Sequence, residues 1–276
     1  MKTTRRRDPR LFQIAALSVL LTIGTLLLGF EFHLSQTLAV VATALFVQAL
    51  ASRWAGIAFD PRSALITSLS LTLLLRTGAP MFAVLAAAMA IGSKFLIRVR
   101  GKHVFNPANF ALVALMLVTD QVWVSSGQWG SAMLGAVVVA ALGLIVLNRA
   151  RYAETPLAFI ATFALLLSVR ALWLGDPWTL VTHQLANGAL LVFTFFMISD
   201  PKTAPDRALA RVLYGATVAA IAFVLDVFFF VTAAPVWALG FAAPLVPLLD
   251  ACWRAPRYRW SRTAPSATLT TQGLSR

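Results

Sequence analysis

Residues 94–110, KFLIRVRGKHVFNPANF, decide how this chain is organised. Their first half carries five basic side chains within ten residues, namely Lys94, Arg98, Arg100, Lys102 and His103. Their second half enters an apolar run through an Asn-Pro-x-Asn sequence, and Pro is well placed at the first position of a helix. Basic loops between apolar segments are typical of a membrane face. The stretch therefore predicts a non-helical loop that contributes to a site at a membrane face.

The composition predicts a polytopic membrane protein. The 276 residues are 59% hydrophobic and 12% charged, with a mean hydropathy of +0.81. A soluble domain cannot bury that much apolar surface. The net charge of +13 is spread over short loops, so we expect the lipid bilayer, and no nucleic acid, as the partner. The single Cys252 and three scattered histidines predict no metal centre.

Ten apolar runs could cross a bilayer, since a helix rises about 1.5 Å per residue and the hydrocarbon core is about 30 Å thick. The predicted spans are 11–30, 35–51, 63–75, 80–97, 107–122, 130–147, 157–173, 180–198, 212–231 and 235–252. With the N-terminus inside, every Lys and Arg except Arg76 and Arg170 falls on the inner side. This bias predicts that both termini lie in the cytoplasm and that the number of spans is even.

The expected organisation is a basic N-terminus (1–10), a membrane domain (11–253) and a disordered tail (254–276). Ten spans divide into two five-helix repeats, at about 11–122 and 130–253. Five is an odd number, so the second repeat would be inverted relative to the first. Inverted repeats are typical of transporters whose sites lie at interrupted helices. The third and eighth spans fit that description, although both are also compatible with ordinary spans whose polar residues face neighbouring helices.

Oxygen-bearing side chains near the interrupted spans predict a path for a hard cation such as sodium. The candidates for this path are Ser68, Ser70, Asn106, Asn109, Asn187 and Asp226. Asp226 is included because a carboxylate within a span is costly unless it faces a cavity, although it could also lie hydrated at the outer headgroups. The candidates for the cytoplasmic mouth are Lys102, His103, Asp200 and Lys202.

A third inner loop precedes the seventh span. Thr155 followed by Pro156 fits a helix N-cap and first position, and Arg149 and Arg151 would attract a phosphate, although a capped helix with two orienting arginines explains the same residues. Motifs for hydrolysis or ATP binding do not occur in the sequence, so no catalytic residue is predicted.

Two long motifs, SKFLIRVRGKHVFNPANFAL (93–112) and FMISDPKTAP (196–205), resemble the membrane subunits RnfD and NqrB. Those subunits belong to Rnf-type electron transport complexes and to the sodium-translocating NADH:quinone reductase. The likeness runs over nearly the whole chain. It is greatest to a short branch found with enediyne biosynthesis genes, the UnbU-type proteins.

The resemblance implies a fold similar to urea transporters, a flavin (FMN or riboflavin) at the membrane, and electron transfer coupled to movement of Na⁺ or H⁺. It also implies a location in the bacterial inner membrane, with membrane and soluble redox subunits as partners. In the family a Thr in a Ser-Gly-Ala-Thr motif is esterified to FMN. Here Thr155 and Pro156 match, but Glu154 departs from that motif and places an anion beside the expected ester. A redox-independent permease or channel, or a membrane scaffold, therefore remains an alternative.

Overall fold

The structure, a computed structural model, describes residues 8–125, 140, 142–143 and 152–258. Within these residues the helices are α1 Pro9–Leu27, α2 Leu34–Trp54, α3 Pro61–Leu74, α4 Pro80–Leu96, α5 Pro107–Val118, α6 Glu154–Leu174, α7 Trp178–Leu185, α8 Gly188–Val192, α9 Ala208–Val227, α10 Ala234–Ala242 and α11 Leu245–Cys252. A π-helical segment, Phe193–Met197, continues α8. The short strands are β1 Leu75–Thr77, β2 Arg98–Val99, β3 Lys102–His103 and β4 Val122–Val124.

Four of these helices, α1, α2, α6 and α9, are long and apolar enough to cross a membrane. Two bent pairs, α7 with the segment from Gly188 to Met197 and α10 with α11, raise the number to six if each pair is one span. The chain is therefore an all-α, multi-pass membrane protein, as the composition predicts. The predicted sixth span (130–147), apart from residues 140, 142 and 143, and the tail from 259 onward lie outside the described residues.

Helices α3 and α5 are short, and each is extended by a strand. At about 1.5 Å per residue, their 14 and 12 residues are shorter than the bilayer core. Strand β1 follows α3 directly and pairs antiparallel with β4, which follows α5. The pairing satisfies backbone groups that leave the helices, as a low-dielectric environment requires. The sequence predicted the short third span, but the prediction of one apolar helix to residue 122 was wrong.

Helices α1 and α3 start with the same sequence, Asp-Pro-Arg, and these starts bind each other. Asp8 and Asp60 each accept the backbone N–H two residues later, so each carboxylate caps its own helix. Arg10 binds Asp60 across the gap, and Arg62 binds Asp8 at 2.8 Å. The four charges balance. They fix α1 against α3 at one end of the bundle. We call this end the basic face, because His103 of the first motif and Lys202 of the second motif also lie there.

The eighth and tenth predicted spans both bend. The chain turns by 49° between α7 and α8, where Asn187 caps α8 by accepting the N–H of Ala189 at 2.8 Å. That break lies at the predicted position. The chain also bends by 47° between α10 and α11 at Ala243–Pro244, whereas one continuous span was predicted. Pro244 explains the difference, because Pro removes a helical donor and displaces the preceding turn.

Helix α6 begins two residues earlier than the N-cap prediction for Thr155 requires. Ala153 precedes the helix and Glu154 is its first residue, so Thr155 lies inside the first turn and that prediction was wrong. Helix α9 packs closely there. A Cβ placed on Gly215 would lie 2.4 Å from the backbone oxygen of Thr155, so only glycine permits this approach of the two backbones.

Replacing Gly215 with alanine should therefore destabilise the protein. Overpacking of a tight contact costs about 1–3 kcal/mol, and this contact is with backbone, which cannot rotate away. The measurement is the thermal unfolding midpoint in detergent. Gly92→Ala in α4 is the matched control, because its Cβ would meet nothing within 4 Å and it gains the same helix propensity. Equal midpoints for the two variants would contradict the close approach.

Candidate functional site

The two sequence motifs meet at the basic face through Asn106. Its Nδ2 donates to the backbone oxygen of Met197 at 3.2 Å, and its Oδ1 accepts the backbone N–H of Asn109 at 3.2 Å. The first contact fastens the loop to the end of the π-helical segment. The second caps α5. One side chain thus starts a helix and joins it to the other half of the chain.

Asn109 is fully buried and holds helices together. Its Nδ2 donates to the backbone oxygen of Val236 at 2.7 Å, which joins α5 to α10. Its Oδ1 has no hydrogen-bond partner within the described residues. Asn109 does not line the cavity described next. Its predicted role in an ion path stays a prediction.

A cavity of about 110 Å³ opens beside Asn106 at the basic face. Its polar lining comes from α1, α3 and both motifs: Arg10, Gln13, Ser63, Thr67, Ser70, His103, Asn106, Asp200 and Lys202. A second void of about 10 Å³ shares Ser70, Asn106 and Phe196 with it and is otherwise lined by apolar side chains from α1, α3 and the chain around Met197. We call the two together the polar cavity. They bring predicted path residues Ser70 and Asn106 next to predicted mouth residues His103, Asp200 and Lys202.

The mouth of the polar cavity combines a carboxyl, an imidazole and an amine. Asp200 accepts the backbone N–H of Lys202 at 2.9 Å, and burial raises the pKa of Asp200 above its usual value. Burial, helped by surrounding cations, lowers the pKa of His103 to about 3. His103 is therefore neutral at physiological pH, and the Asp200 carboxyl can take up a proton more readily than an exposed aspartate.

Lys94 lies beside the polar cavity and is held by neutral partners. Its Nζ donates to Gln48 Oε1 at 2.7 Å and to Ser63 Oγ at 3.0 Å, and the residue is buried. Ser63 also lines the polar cavity. The Lys94 amine is therefore separated from the polar cavity by the Ser63 hydroxyl that it contacts. Neither Gln48 nor Ser63 was predicted as part of the site.

Lys102 was predicted at the mouth, but its ammonium group points elsewhere. It binds Asp250 at 2.7 Å, Asp206 at 3.0 Å and the backbone oxygen of Ala204 at 2.6 Å. These contacts join the hairpin of β2 and β3 to the loop before α9 and to α11. Lys102 is absent from the lining of the polar cavity and serves as a link between three segments of the basic face.

Three other predicted path residues lie away from the polar cavity. Ser68 is fully buried, and its Oγ donates to the backbone oxygen of Leu65 at 3.0 Å. Asn187 caps α8. Asp226 lies one residue before the end of α9, far along that helix from the basic face. The structure does not bring these three to the cavity, and their roles stay predictions.

The face of α3 that lines the polar cavity follows a simple spacing. Ser63, Thr67 and Ser70 are separated by four and three residues, so they share one side of a helix. The sequence prediction selected Ser68 and Ser70 by polarity, and these two cannot share that side. Applying the 3.6-residue period to 63–70 would have identified the correct set.

The predicted flavin attachment site is closed in this structure. Thr155 is 1% exposed, and its hydroxyl is buried without a hydrogen-bond partner within the described residues. The neighbouring Glu154 carboxylate binds Arg211 at 2.9 Å. Arg149 and Arg151 lie outside the described residues. A phosphate ester needs an accessible hydroxyl, so Thr155 does not fit FMN in this conformation, and FMN or riboflavin binding stays a prediction.

Comparison with known proteins agrees with the sequence motifs. A family model described as the NQR2, RnfD, RnfE family matches residues 116–259, which is just over half of the chain. The match includes Thr155 and the Asp200–Lys202 motif, whereas Asn106 and Asn109 precede it. No curated protein matches the chain. The resemblance inferred from the motifs is thereby confirmed at the level of the family, and the chain belongs to the NQR2, RnfD, RnfE family.

Proposed function

We propose that the chain is a membrane subunit of an Rnf/Nqr-type electron transport system and that the polar cavity is the entrance of its cation path. The family supports the first part, because its members are subunits of membrane complexes. In this proposal the basic face is the cytoplasmic side of a bacterial inner membrane, which the distribution of Lys and Arg favours. Further membrane and soluble redox subunits would complete the assembly.

The observation that carries the proposal is the placement of Asp200, Ser70 and Asn106 around two neighbouring voids that share lining residues. Asp200 lines the outer part of the polar cavity, while Ser70 and Asn106 line both the outer part and the small inner void. The inner void has the volume of about one water molecule. Polar groups aligned from a face toward the interior of a membrane protein are characteristic of ion and proton pathways.

The charges around the polar cavity favour a proton over sodium. Arg10 is neutralised within the Asp8–Asp60 cluster, but Lys94 and Lys202 stand against the single carboxylate of Asp200. A sodium ion would have to pass two lysines with one carboxylate to offset them. A proton can instead bind the Asp200 carboxyl and move along hydroxyl and amide groups. We therefore propose that the transported cation is H⁺. The uptake experiment described below, run with and without sodium, distinguishes H⁺ from Na⁺.

The proposed scaffold is the ten-span inverted repeat. The short helix α3 in the first half and the break before α8 in the second half support it, because interrupted helices in corresponding positions carry the sites of such transporters. The polar cavity lies where these two elements meet, between Ser70 of α3 and Phe196 next to the end of the π-helical segment. The narrower likeness to UnbU-type proteins of enediyne gene clusters also remains a proposal.

A redox-independent permease is the second candidate, and the closed Thr155 site favours it. Glu154 forms a salt bridge with Arg211, and the Thr155 hydroxyl is buried. The mass and absorbance spectrum of the protein, produced together with its flavin-attaching enzyme, distinguishes the two candidates. A flavin retained by the protein supports the redox subunit, whether covalent or released on denaturation. A colourless protein of unmodified mass that still transports alone supports the permease.

Replacing Ser70 with leucine should block the path. The larger apolar side chain fills the inner void and dewets the passage, so proton uptake should fall to the level of empty vesicles. The assembly that co-purifies with the chain is reconstituted, and uptake is driven by a potassium diffusion potential with and without sodium. Ser18→Leu is the control, because Ser18 is exposed on α1. Undiminished uptake by a folded Ser70→Leu protein would refute the path. If wild-type uptake required sodium, the transported cation would be Na⁺ and not H⁺.

A further inference from the structure

A second cavity on the basic face has no place in the proposed path. It has a volume of about 210 Å³ and lies between the β2–β3 hairpin, the loop before α9 and the end of α11. Its charged lining consists of Arg100, Lys102, Asp206, Asp250, Arg254 and Arg257. We call it the arginine cavity. Its volume is larger than that of the outer part of the polar cavity, about 110 Å³, and the two linings share His103.

The cations of the arginine cavity exceed its carboxylates. Lys102 is bound by both Asp206 and Asp250, so the two acidic side chains are already engaged with one amine. Arg100, Arg254 and Arg257 have neither a salt bridge nor a side-chain hydrogen bond to the rest of residues 8–125 and 152–258. Four cations and two carboxylates leave a formal surplus of two positive charges. Three arginines without acceptors around a concave surface are suited to an anion, and guanidinium matches phosphate geometry.

The backbone at Arg100 supports a ligand-binding role. Arg100 and Gly101 form the two-residue turn between β2 and β3, with φ angles of 51° and 78°. Glycine adopts this left-handed conformation freely, but arginine does so at a conformational cost, and Asn or Gly is the usual residue in such a turn. Strained residues of this kind concentrate at binding sites. Here the turn holds the Arg100 side chain at the edge of the cavity.

The position of the arginine cavity indicates where its ligand comes from. Val99 lines the cavity and is exposed, and Leu96, three residues earlier, is 75% exposed at the end of α4. With the basic face at the cytoplasmic side, Leu96 and Val99 would lie at the edge of the lipid bilayer. A phosphate group carried by a lipid could therefore enter the cavity while its acyl chains remain beside α4. Basic clusters immediately next to membrane helices are known to attract anionic headgroups.

We propose that the arginine cavity binds a phosphate group through Arg100, Arg254 and Arg257, and that an anionic phospholipid of the adjacent leaflet supplies it. The site would anchor the β2–β3 hairpin and the end of α11 to the membrane. This inference does not depend on proton transport through the polar cavity. It assigns a role to the basic residues after α11 that topology alone does not require.

The test compares two variants that lose the same charge. Arg254→Gln/Arg257→Gln changes the cavity, whereas Arg53→Gln/Arg207→Gln removes two exposed arginines outside it. The purified protein in detergent micelles is titrated with short-chain phosphatidic acid or short-chain phosphatidylcholine, and separately with inorganic phosphate. We expect the cavity variant to bind phosphatidic acid roughly tenfold more weakly for each arginine lost, with the control close to wild type.

The two sources of phosphate give different results. Binding of phosphatidic acid that inorganic phosphate at millimolar concentration does not displace supports the lipid. Binding of inorganic phosphate that is equally sensitive to the cavity variant assigns the site to a soluble phosphate and overturns the lipid part of the proposal. An equal loss in both variants, or no loss in either, would overturn the site itself. Because the arginines have no partner in the described residues, both variants should remain folded, which the thermal midpoint verifies.

Discussion

Replacing Lys102 with methionine is expected to lower the free energy of unfolding by about 3–5 kcal/mol, the range measured when one partner of a buried ion pair is removed. The Lys102, Asp206 and Asp250 side chains are only 14%, 8% and 16% exposed. Without the ammonium group, two carboxylates face each other with little solvent to screen them. Asp250 also accepts the backbone N–H of Asp206 at 2.8 Å, so the loop before α9 depends on the same cluster.

Unfolding in mixed micelles measures this loss. Arg207→Met provides the control, because Arg207 lies on the same face and is exposed. The double variant Lys102→Met/Asp250→Asn should recover part of the lost free energy of unfolding, because it removes one of the two unpaired carboxylates. The asparagine side chain introduced at position 250 still offers an oxygen that accepts the backbone N–H of Asp206. A Lys102→Met protein within about 1 kcal/mol of the control would show that Lys102 does not link the three segments.

Replacing Asp200 with asparagine should stabilise the protein at neutral pH. Burial raises the pKa of Asp200, so the folded state binds its proton more tightly than the unfolded state does. The stability that this proton contributes is complete below the ordinary value of 3.8 and is lost as the pH rises through the raised pKa. Asparagine cannot ionise and retains the oxygen that accepts the Lys202 N–H. The turn should therefore survive without the cost of a buried charge.

Thermal midpoints measured between pH 4 and pH 8 check this expectation. The wild-type midpoint should fall relative to Asp200→Asn as the pH rises, and the variant should be more stable at pH 7. Asp120→Asn is the control, because Asp120 is an exposed aspartate that does not line the polar cavity. A variant that is less stable than wild type at pH 7 would mean that the Asp200 charge is stabilised by the nearby lysines and is not a proton acceptor.

Sequence periodicity and helix-breaking residues predicted much of the fold. The apolar runs gave the membrane class, and Asn187–Gly188 gave the break before α8. Both features depend on local chemistry, namely the length of an apolar run and the capping of a helix by an asparagine. The bend at Pro244 has the same kind of signal. It was missed because the surrounding residues are apolar and the run has the length of an ordinary span.

The candidate site was predicted only in part, because side-chain partners are chosen by tertiary contacts. Asn106 and Asp200 lie together at the polar cavity, as expected for residues of two motifs that meet at one face. Lys102 was assigned to the same mouth, but Asp206 and Asp250 draw its amine away. Neither carboxylate is close to Lys102 in sequence. Such long-range pairs cannot be found from the spacing of residues along one chain.

Entry of protons through the polar cavity by way of Asp200 can be measured as the initial rate of proton uptake. Vesicles containing the co-purified assembly with wild-type or Asp200→Asn protein are energised by a potassium diffusion potential, and an internal dye reports the pH. We expect uptake to fall by roughly a hundredfold in a folded Asp200→Asn protein, as for the loss of a positioned proton-transfer group. Uptake at the wild-type rate would show that protons do not pass through Asp200.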